Sequence, residues 1–324
     1  MSRKHAILSA SSSDRWLHCP PSARLCENYE DKGSDYAAEG TDAHALCQFR
    51  LEQALGLPTE NPIENLSWYN EEMEDCAAGY VSYVLEQVEA AKQTCADPIV
   101  LIEQRVDFSR WVEEGFGTAD NIIIADGVLK ICDYKHGRGV EVSATENPQM
   151  MCYALGALEI FDDIYDIETV SMTIFQPRRD NVSTYDISKE ELYRWADEVL
   201  KPAAELAFAG DGNFLCGEWC GFCKAKHDCR ARAEANMELA KYDFKLPPLL
   251  TDEEIEDVLT LGQQAELLKR GNTISMPLTE NTLICQMARA GMCRGKNRKA
   301  DIPQQNIIRP SSAQQRLFIG IGLI

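Results

Sequence analysis

The dipeptide Asp126-Gly127 lies between two runs of apolar and β-branched residues, and it constrains the fold more than any other feature of the chain. Such a dipeptide is the strongest local signal for a β-hairpin, because both turn residues are expected to accept a positive φ. If Ala125 faces Val128, counting outward along the ladder places Asp120 opposite Asp133. Directly opposed residues have Cβ atoms about 5 Å apart, and like charges there are destabilising. A bound divalent cation would offset that repulsion.

Lys135 lies two residues beyond Asp133, so the strand period of two predicts that both side chains share one sheet face. An aspartate at a strand end is often a solvated turn residue, and Asp-x-Lys is common in exposed strands. The joint placement by the Asp-Gly register nevertheless favours one patch formed by Asp120, Asp133 and Lys135.

Composition limits the class of protein. The 324 residues include 45% hydrophobic side chains, enough to bury a full core in one large or two modest domains. No apolar run approaches the length of a membrane span, and the N-terminus lacks the apolar segment of a signal peptide. We therefore expect a cytoplasmic protein without membrane contact. Thirteen cysteines in such a chain favour metal or cluster ligation over a disulfide framework.

The net charge of −20 argues against broad affinity for nucleic acid. The basic residues are nevertheless collected in strips beside the predicted patch, at a later turn and around the late cysteines. These residues are Lys135, His136, Arg138, Arg178, Arg179, Lys224, Lys226, Arg230 and Arg232. An acidic protein with such strips can still follow a phosphate backbone, and Arg138, Arg178 and Arg179 are the expected phosphate contacts.

The order of predicted elements is α–βββ–α–β, which indicates one three-layer α/β domain with a mixed central sheet flanked by helices and an acidic helical insertion. The expected helices cover residues 39–55, 68–92, 147–160 and 188–209, and the expected strands cover 99–108, the hairpin 121–134, 169–176 and 182–186. Five segments follow: an N-terminal segment 1–38, a core 39–210, a cysteine segment 211–235, an acidic helix 236–261 and a tail 262–324.

The tail differs in character from the rest of the chain. Residues 262–324 hold three acidic residues against nine Lys and Arg, and their apolar periodicity is lost. A disordered basic tail, a small DNA-contacting appendage and the product of a frameshifted gene are three interpretations. The abrupt change favours the last, and no function is assigned to this segment.

Four short motifs in order resemble the RecB-type branch of the PD-(D/E)XK nucleases, which has a restriction-endonuclease-like fold. Gly40-Thr-Asp-Ala-His44 resembles its Gly-Thr-x-x-His helix, and Gly117-Thr-Ala-Asp120 its Gly-x-x-Asp strand. Asp133-Tyr134-Lys135 resembles its Asp-x-Lys, and Gln149-Met-Met-Cys-Tyr153 its Gln-x-x-x-Tyr helix. Residues four apart share a helical face, as a common contact surface requires.

The resemblance implies roles for these residues. His44, Asp120 and Asp133, with the carbonyl of Tyr134, would hold Mg²⁺ or Mn²⁺, and Lys135 would orient the attacking water. Gln149 and Tyr153 would position the substrate strand. Glu103 on the first strand is a further carboxylate, although a glutamate in a strand commonly faces solvent. The implied activity is hydrolysis of DNA phosphodiester bonds, expected to be exonucleolytic.

The cysteines extend the resemblance. Cys220, Cys223 and Cys229 form a C-x2-C-x5-C array, and Cys19 precedes the core. This one-plus-three arrangement resembles iron–sulfur nucleases of the AddB-like and CRISPR-adaptation types, in which four thiolates hold a [4Fe–4S] cluster. Four thiolates also suit tetrahedral Zn²⁺. Cys216 could replace one ligand, whereas the remaining cysteines of the core are interpreted as ordinary buried thiols, Cys26 among them.

The implied biological role rests on analogy. A nuclease of this size without a P-loop resembles phage or prophage recombination exonucleases, which act with a single-strand annealing or binding protein; any helicase partner would be a separate chain. Two rival hypotheses remain. One is a non-catalytic DNA-binding or scaffold protein that retains the cluster and a relic of the site. The other is a zinc-ribbon-bearing interaction module in which Asp120 and Asp133 are only a structural cation site. Colour of the purified protein separates cluster from zinc, and metal-dependent cleavage separates enzyme from binder.

Overall fold

The computed structural model describes residues 6–31 and 33–240. Its centre is a mixed sheet with the strand order β1-β2-β3-β4-β5. The strands are β1 Ile99–Asp107, β2 Phe116–Ala125, β3 Val128–Tyr134, β4 Thr169–Gln176 and β5 Asn181–Ser188. All neighbours are antiparallel except β3 and β4, which are parallel.

The helices precede, interrupt and follow this sheet. They are α1 Ser13–His18, α2 Ser22–Leu25, α3 Asp35–Ala54, α4 Glu71–Lys92, α5 Pro148–Tyr165, α6 Lys189–Trp195, α7 Lys201–Ala209 and α8 Arg230–Ala240. A short π-helix, Ala196–Leu200, joins α6 to α7 within the segment predicted as one continuous helix.

The β2–β3 hairpin has the register predicted from the sequence. Ala125 pairs with Val128, and the ladder runs outward to Asn121 opposite Cys132. The prediction that both turn residues take a positive φ was wrong, since only Gly127 does so, at +77°. The turn is fixed from outside the hairpin, because the Gly127 carbonyl accepts hydrogen bonds from the amides of Glu168 and Thr169.

Helix α5 makes the crossover that the parallel β3–β4 pair requires. The predicted start of this helix is confirmed: the Asn147 side chain accepts hydrogen bonds from the amides of Gln149 and Met150, and Pro148 is the first helical residue. The helix continues to Tyr165, one turn beyond the predicted end, and stops where Asp166 adopts a left-handed conformation.

Each face of the sheet is covered by helices. The face toward α5, α6 and α7 buries Ile122, Ile124, Leu129 and Ile131 with the apolar side of α5. The opposite face buries Ile123, Ala125, Cys132 and Tyr134 against α3 and α4. The strands are therefore apolar on both faces, and the α/β class with a mixed sheet between helices is confirmed. No helix within 6–31 or 33–240 is long and apolar enough to cross a membrane.

Two predicted segments lie partly or wholly outside the described residues. Helix α8 begins at Arg230, within the predicted cysteine segment 211–235, and the part of the predicted acidic helix beyond Ala240 lies outside the described residues. The tail 262–324, with Cys285 and Cys293, also lies outside them.

Candidate metal and catalytic site

The sheet edge near the start of α5 gathers the residues that the four motifs supply. The Asp120 carboxylate accepts a hydrogen bond of 2.7 Å from the Tyr134 amide and lies 3.3 Å from Nδ1 of His44. The Asp133 carboxylate, almost fully buried, lies 2.8 Å from Nζ of Lys135. The convergence of Asp120, Asp133 and Lys135 expected from the register is therefore present.

Gln149 joins Asp133 and Lys135 to Tyr153. Its side-chain oxygen accepts a 3.1 Å hydrogen bond from Lys135, and its amide nitrogen lies 3.3 Å from Asp133 Oδ1 and 3.0 Å from the Tyr153 hydroxyl. Helical spacing of four places Gln149 and Tyr153 side by side on α5. The Gln-x-x-x-Tyr pair thus supports the Asp-x-Lys strand directly.

Gly117 explains why the motif on β2 begins with glycine. A Cβ atom at this position would lie 2.6 Å from Cε1 of Tyr153 and 3.2 Å from Cβ of Ala10. Any side chain would push the Tyr153 ring away from the strand and its hydroxyl away from Gln149. The glycine is therefore a packing requirement of the site.

Glu103 is the carboxylate that the sequence suggested only weakly. One ligand atom from each of His44, Glu103 and Asp120 can be chosen so that all three lie within 4.8 Å of one another, and these residues form the one such group in the described part of the chain. Glu103 has a positive φ of 49° inside β1, at the register position facing Asp120. Non-glycine residues rarely adopt this conformation, and such strain is concentrated at functional sites.

The titration of the site reflects burial and mutual charge. Burial acts to lower the pKa of His44, but the Asp120 carboxylate outweighs it and raises the pKa to about 9. Burial raises the pKa of Asp120, yet His44 and Lys135 together bring it below its ordinary value. Burial raises the pKa of Asp133 despite Lys135, and burial with the Asp120 charge raises the pKa of Glu103 to about 7.

The donor set fits a hard divalent cation. Carboxylate oxygens and one imidazole are ligands that Mg²⁺ and Mn²⁺ accept. Asp133 Oδ2 is buried and makes no hydrogen bond of good geometry, although the Lys135 ammonium is 2.8 Å away. The Lys135 ammonium is the charged partner of this buried acceptor. The Tyr134 ring lies edge-on to His44 at 5.5 Å and supports the imidazole from the side of α4.

The three arginines predicted as phosphate contacts are paired with acids. Arg138 contacts Glu72, and Arg178 contacts both Glu72 and Glu39. Arg179 donates to the Arg138 carbonyl and lies 3.5 Å from Glu141.

The cysteine segment 211–235 packs beside the N-terminal segment of the chain. The rings of His18 and Trp219 stack at 4.2 Å, and just before this segment the Phe208 carbonyl accepts a 2.6 Å hydrogen bond from Arg24 Nε. Cys19, Cys220 and Cys223 are buried, and Cys229 is half-buried. Burial raises the pKa of Cys19, and the neighbouring Cys220 contributes in the same direction.

Cys26 has a cysteine partner that the sequence did not reveal. Its Sγ lies 3.6 Å from Sγ of Cys223 and 3.5 Å from Nη1 of Arg15. The hydrogen bond from Cys223 is the main reason that the pKa of Cys26 falls to about 5. Cys26 is a buried free thiol, as predicted, but its contact with Cys223 was not predicted.

The described cysteine sulfurs do not converge on one point, since no three of them lie within 4.8 Å of one another. A single tetrahedral ion would draw four sulfurs together, whereas in a [4Fe–4S] cluster each thiolate binds a different iron and the sulfurs stand farther apart.

Comparison with known proteins places the chain in a family. A family model described as "Protein of unknown function (DUF2800)" matches residues 5–276, which is most of the chain. The chain belongs to this family. The description assigns no activity to the family.

Among solved structures, the chain is similar to one titled "Crystal structure of SSO0001". The two are 16% identical, and the match covers 58% of this chain and 95% of that one, with a TM-score of 0.25.

Proposed function

We propose that this member of the DUF2800 family is a metal-dependent deoxyribonuclease with a restriction-endonuclease-like core of the RecB type. The observation that carries the proposal is the meeting of His44, Glu103 and Asp120 beside the Asp133–Lys135–Gln149 network. A buried carboxylate, two partly buried carboxylates and a lysine gathered in one place suit phosphodiester chemistry.

His44, Glu103, Asp120 and Asp133 would hold one or two Mg²⁺ or Mn²⁺ ions, with the Tyr134 carbonyl as a further oxygen ligand. When bound, such ions polarise the scissile phosphate and lower the pKa of a bound water. Metal binding requires neutral imidazole and ionised carboxylates, so His44 and Glu103 would release their protons.

Lys135 supplies the remaining electrostatic element. Asp133 and Gln149 fix its ammonium group from two sides, and the charge of Asp133 keeps the pKa of Lys135 above its ordinary value despite burial. A cation held in this way can donate a hydrogen bond to a non-bridging phosphate oxygen as negative charge develops there. The Tyr153 hydroxyl, bonded to Gln149, keeps the glutamine in place.

The cysteines would hold a [4Fe–4S] cluster through Cys19, Cys220, Cys223 and Cys229, with Zn²⁺ as the alternative ion. Such a group would join the N-terminal segment to the end of the core, where the Arg24–Phe208 and His18–Trp219 contacts already bring the two together. Processing of DNA ends in phage recombination, with an annealing or single-strand binding protein as partner, is the biological setting that we propose.

The test is cleavage of end-labelled linear DNA with Mn²⁺ by protein purified without oxygen. We expect Asp133→Asn to lose at least about 100-fold in rate, as removal of a group that stabilises the transition state does, while its circular dichroism spectrum remains unchanged. Asp163→Asn, an exposed aspartate on α5, is the matched control and should cleave like the wild type. Cleavage by Asp133→Asn at the wild-type rate would refute the proposal.

A covalently closed circular substrate in the same assay separates exonuclease from endonuclease action. An exonuclease degrades the linear DNA and leaves the circle intact. If the wild-type protein binds DNA but cleaves neither substrate with Mg²⁺ or Mn²⁺, the non-catalytic binding protein is the better description.

A further inference from the structure

Glu72, in the first turn of α4, forms ion pairs with Arg138 and Arg178. These two arginines lie in the segments that follow β3 and β4. The Glu72 carboxylate faces the guanidinium of Arg178 in a fork, with Nε to Oε1 at 3.3 Å and Nη2 to Oε2 at 3.1 Å. Arg138 donates to the same Oε1. The two arginines lower the pKa of Glu72. One carboxylate thus accepts hydrogen bonds from two cations, as a phosphate group does.

The two arginines lie next to the proposed active site because of the sheet topology. Strands β3 and β4 are parallel, so their C-terminal ends lie at the same edge, where the Lys135 amide donates to the Phe175 carbonyl at 2.9 Å. Arg138 follows Lys135 by three residues, and Arg178 follows Phe175 by three residues. Both guanidinium groups therefore lie at the sheet edge that carries Lys135.

A chain of contacts leads from Arg178 inward to the proposed metal ligands. Arg178 Nη1 lies 2.9 Å from Glu39 Oε1, and the same oxygen lies 3.5 Å from Nε2 of His136. The other ring nitrogen of His136 is 2.7 Å from the Tyr134 hydroxyl, and the Tyr134 ring supports His44. Glu39 thus fixes Arg178 from the inner side, whereas Glu72 approaches from the side of the solvent.

We propose that Arg138 and Arg178 form the binding site for a backbone phosphate of the substrate strand, and that Glu72 occupies this site as a carboxylate mimic until DNA displaces it. The proposal rests on the nuclease function proposed above. Displacement of Glu72 leaves two guanidinium charges against the single carboxylate of Glu39, a net charge that matches a phosphodiester.

The exposure of the groups makes this exchange inexpensive. The Glu72 and Arg138 side chains are 46% and 60% exposed, so their ion pair is a solvated surface pair of small net stability. The Arg178 side chain is only 12% exposed, and its contact with Glu39 keeps the fork in position when Glu72 leaves. A free carboxylate on a long side chain can swing into solvent without moving α4.

A purely structural role for Glu72 would be to tie α4 to the loops that follow β3 and β4. The two roles predict opposite effects of removing its charge. As a phosphate mimic, Glu72 competes with DNA, so the neutral variant binds DNA more tightly. If Glu72 is a structural tie, the neutral variant has a lower thermal stability. Its DNA affinity then changes only as much as it would after the loss of any other single negative charge.

The experiment is fluorescence anisotropy of a labelled DNA duplex with a single-stranded overhang, in EDTA so that no cleavage occurs. Glu72→Gln is compared with Glu74→Gln, a neighbour in the same helix that pairs with Arg50 Nε at 2.5 Å. Both variants lose one negative charge, so the difference between them isolates the site. We expect Glu72→Gln to bind about tenfold more tightly than Glu74→Gln at low salt, with a salt slope steeper by about one unit.

Removal of the Arg178 guanidinium, which would receive the phosphate, should have the opposite effect and weaken DNA binding. Arg178→Gln and the double variant Glu72→Gln/Arg178→Gln should both bind weakly, because the gain from Glu72→Gln requires the fork. Equal affinities of Glu72→Gln and Glu74→Gln, with wild-type cleavage intact, would overturn this proposal and leave the nuclease function standing. Absence of DNA binding in every variant, together with absence of cleavage, would overturn both.

Discussion

The charges of the site are balanced in pairs at the level of single residues. His44 with Asp120 and Lys135 with Asp133 form two ion pairs in one largely buried patch, and Glu103 is a third carboxylate beside His44 and Asp120. This imbalance places one carboxylate in excess, at the position where a metal ion would lie. The pKa values of both His44 and Glu103 lie above their ordinary values. The charge of Asp120 raises the pKa of His44 against the effect of burial, whereas burial first and the charge of Asp120 second raise the pKa of Glu103.

A prediction about proton release follows at this scale. Because the pKa of His44 is about 9, its imidazole is protonated at pH 7 in the metal-free protein, and a metal ion must displace that proton. Mn²⁺ affinity should therefore rise by about tenfold per pH unit up to pH 9 and level off above it. Below pH 7 the rise should be steeper, because Glu103 must also lose a proton.

Isothermal titration calorimetry in buffers of different ionisation enthalpy measures both the affinity and the number of protons released. His44→Gln should bind Mn²⁺ weakly and lose the rise between pH 7 and 9. His18→Gln, which changes an exposed histidine stacked on Trp219, should keep it. A wild-type affinity independent of pH over this range would show that His44 is not a ligand.

At the scale of elements, two glycines in long helices have opposite requirements. A Cβ on Gly156 of α5 would lie 2.8 Å from Cβ of Val106 and 3.1 Å from the Asp107 amide, so the glycine permits α5 to lie against β1. A Cβ on Gly79 of α4 would meet Phe175 at 3.7 Å, an ordinary contact. The first glycine is a packing requirement and the second only weakens its helix.

We therefore expect Gly156→Ala to destabilise the protein by about 1–3 kcal/mol through overpacking. Gly79→Ala should stabilise it by about 0.5–1 kcal/mol, because alanine restricts the unfolded chain and favours the helix. Urea denaturation followed by circular dichroism gives both values. A neutral Gly156→Ala would contradict this prediction and mean that α5 can move away from β1 at little cost.

The sheet topology also explains which site residues are brought together by neighbouring elements and which meet only in the packed fold. Asp120 and Asp133 belong to adjacent antiparallel strands and face each other through a short turn, so their approach is a local property. Lys135 and Gln149 meet because α5 crosses back over the sheet from β3 to β4. His44 comes from α3, which precedes the sheet by more than forty residues, and only the packed fold brings it to Asp120.

For the molecule as a whole, the N-terminal segment and the cysteine segment are in contact through side chains, among them Cys26 with Cys223 and His18 with Trp219. The two segments together carry six cysteines. A cluster or metal ion would add a covalent link between them. We predict that protein purified without oxygen is brown and contains iron, and that Cys220→Ala is colourless and melts at a lower temperature. Cys152→Ala, which changes a fully buried thiol in α5 whose pKa is raised by burial alone, should keep the colour.

Cys19 and Cys26 test which N-terminal thiol is the ligand. We expect Cys19→Ala to lose the colour and Cys26→Ala to keep it, because the resemblance assigns Cys19 and the contact of Cys26 is a hydrogen bond from Cys223. The reverse result would transfer the role to Cys26. A colourless wild-type protein that contains zinc would establish the alternative ion.

The sequence by itself determined the hairpin register, the start of α5 and the residues that meet there. These features depend on strand alternation, turn chemistry and helix capping, all of which act within about twenty residues. It did not determine the turn conformation at Asp126, because hydrogen bonds from the α5–β4 loop select it.

Only the tertiary structure showed that Glu103 turns into the site, that Cys26 meets Cys223 and that Glu72 occupies the fork of Arg178. Each of these contacts joins residues from elements far apart in the chain, or depends on a strained backbone that no local pattern encodes. Packing of α3 and α4 against the sheet placed the acidic side chains there. The physical reason for the division is range: local rules fix neighbours along a strand or helix, whereas burial of apolar faces decides which distant charges must share one space.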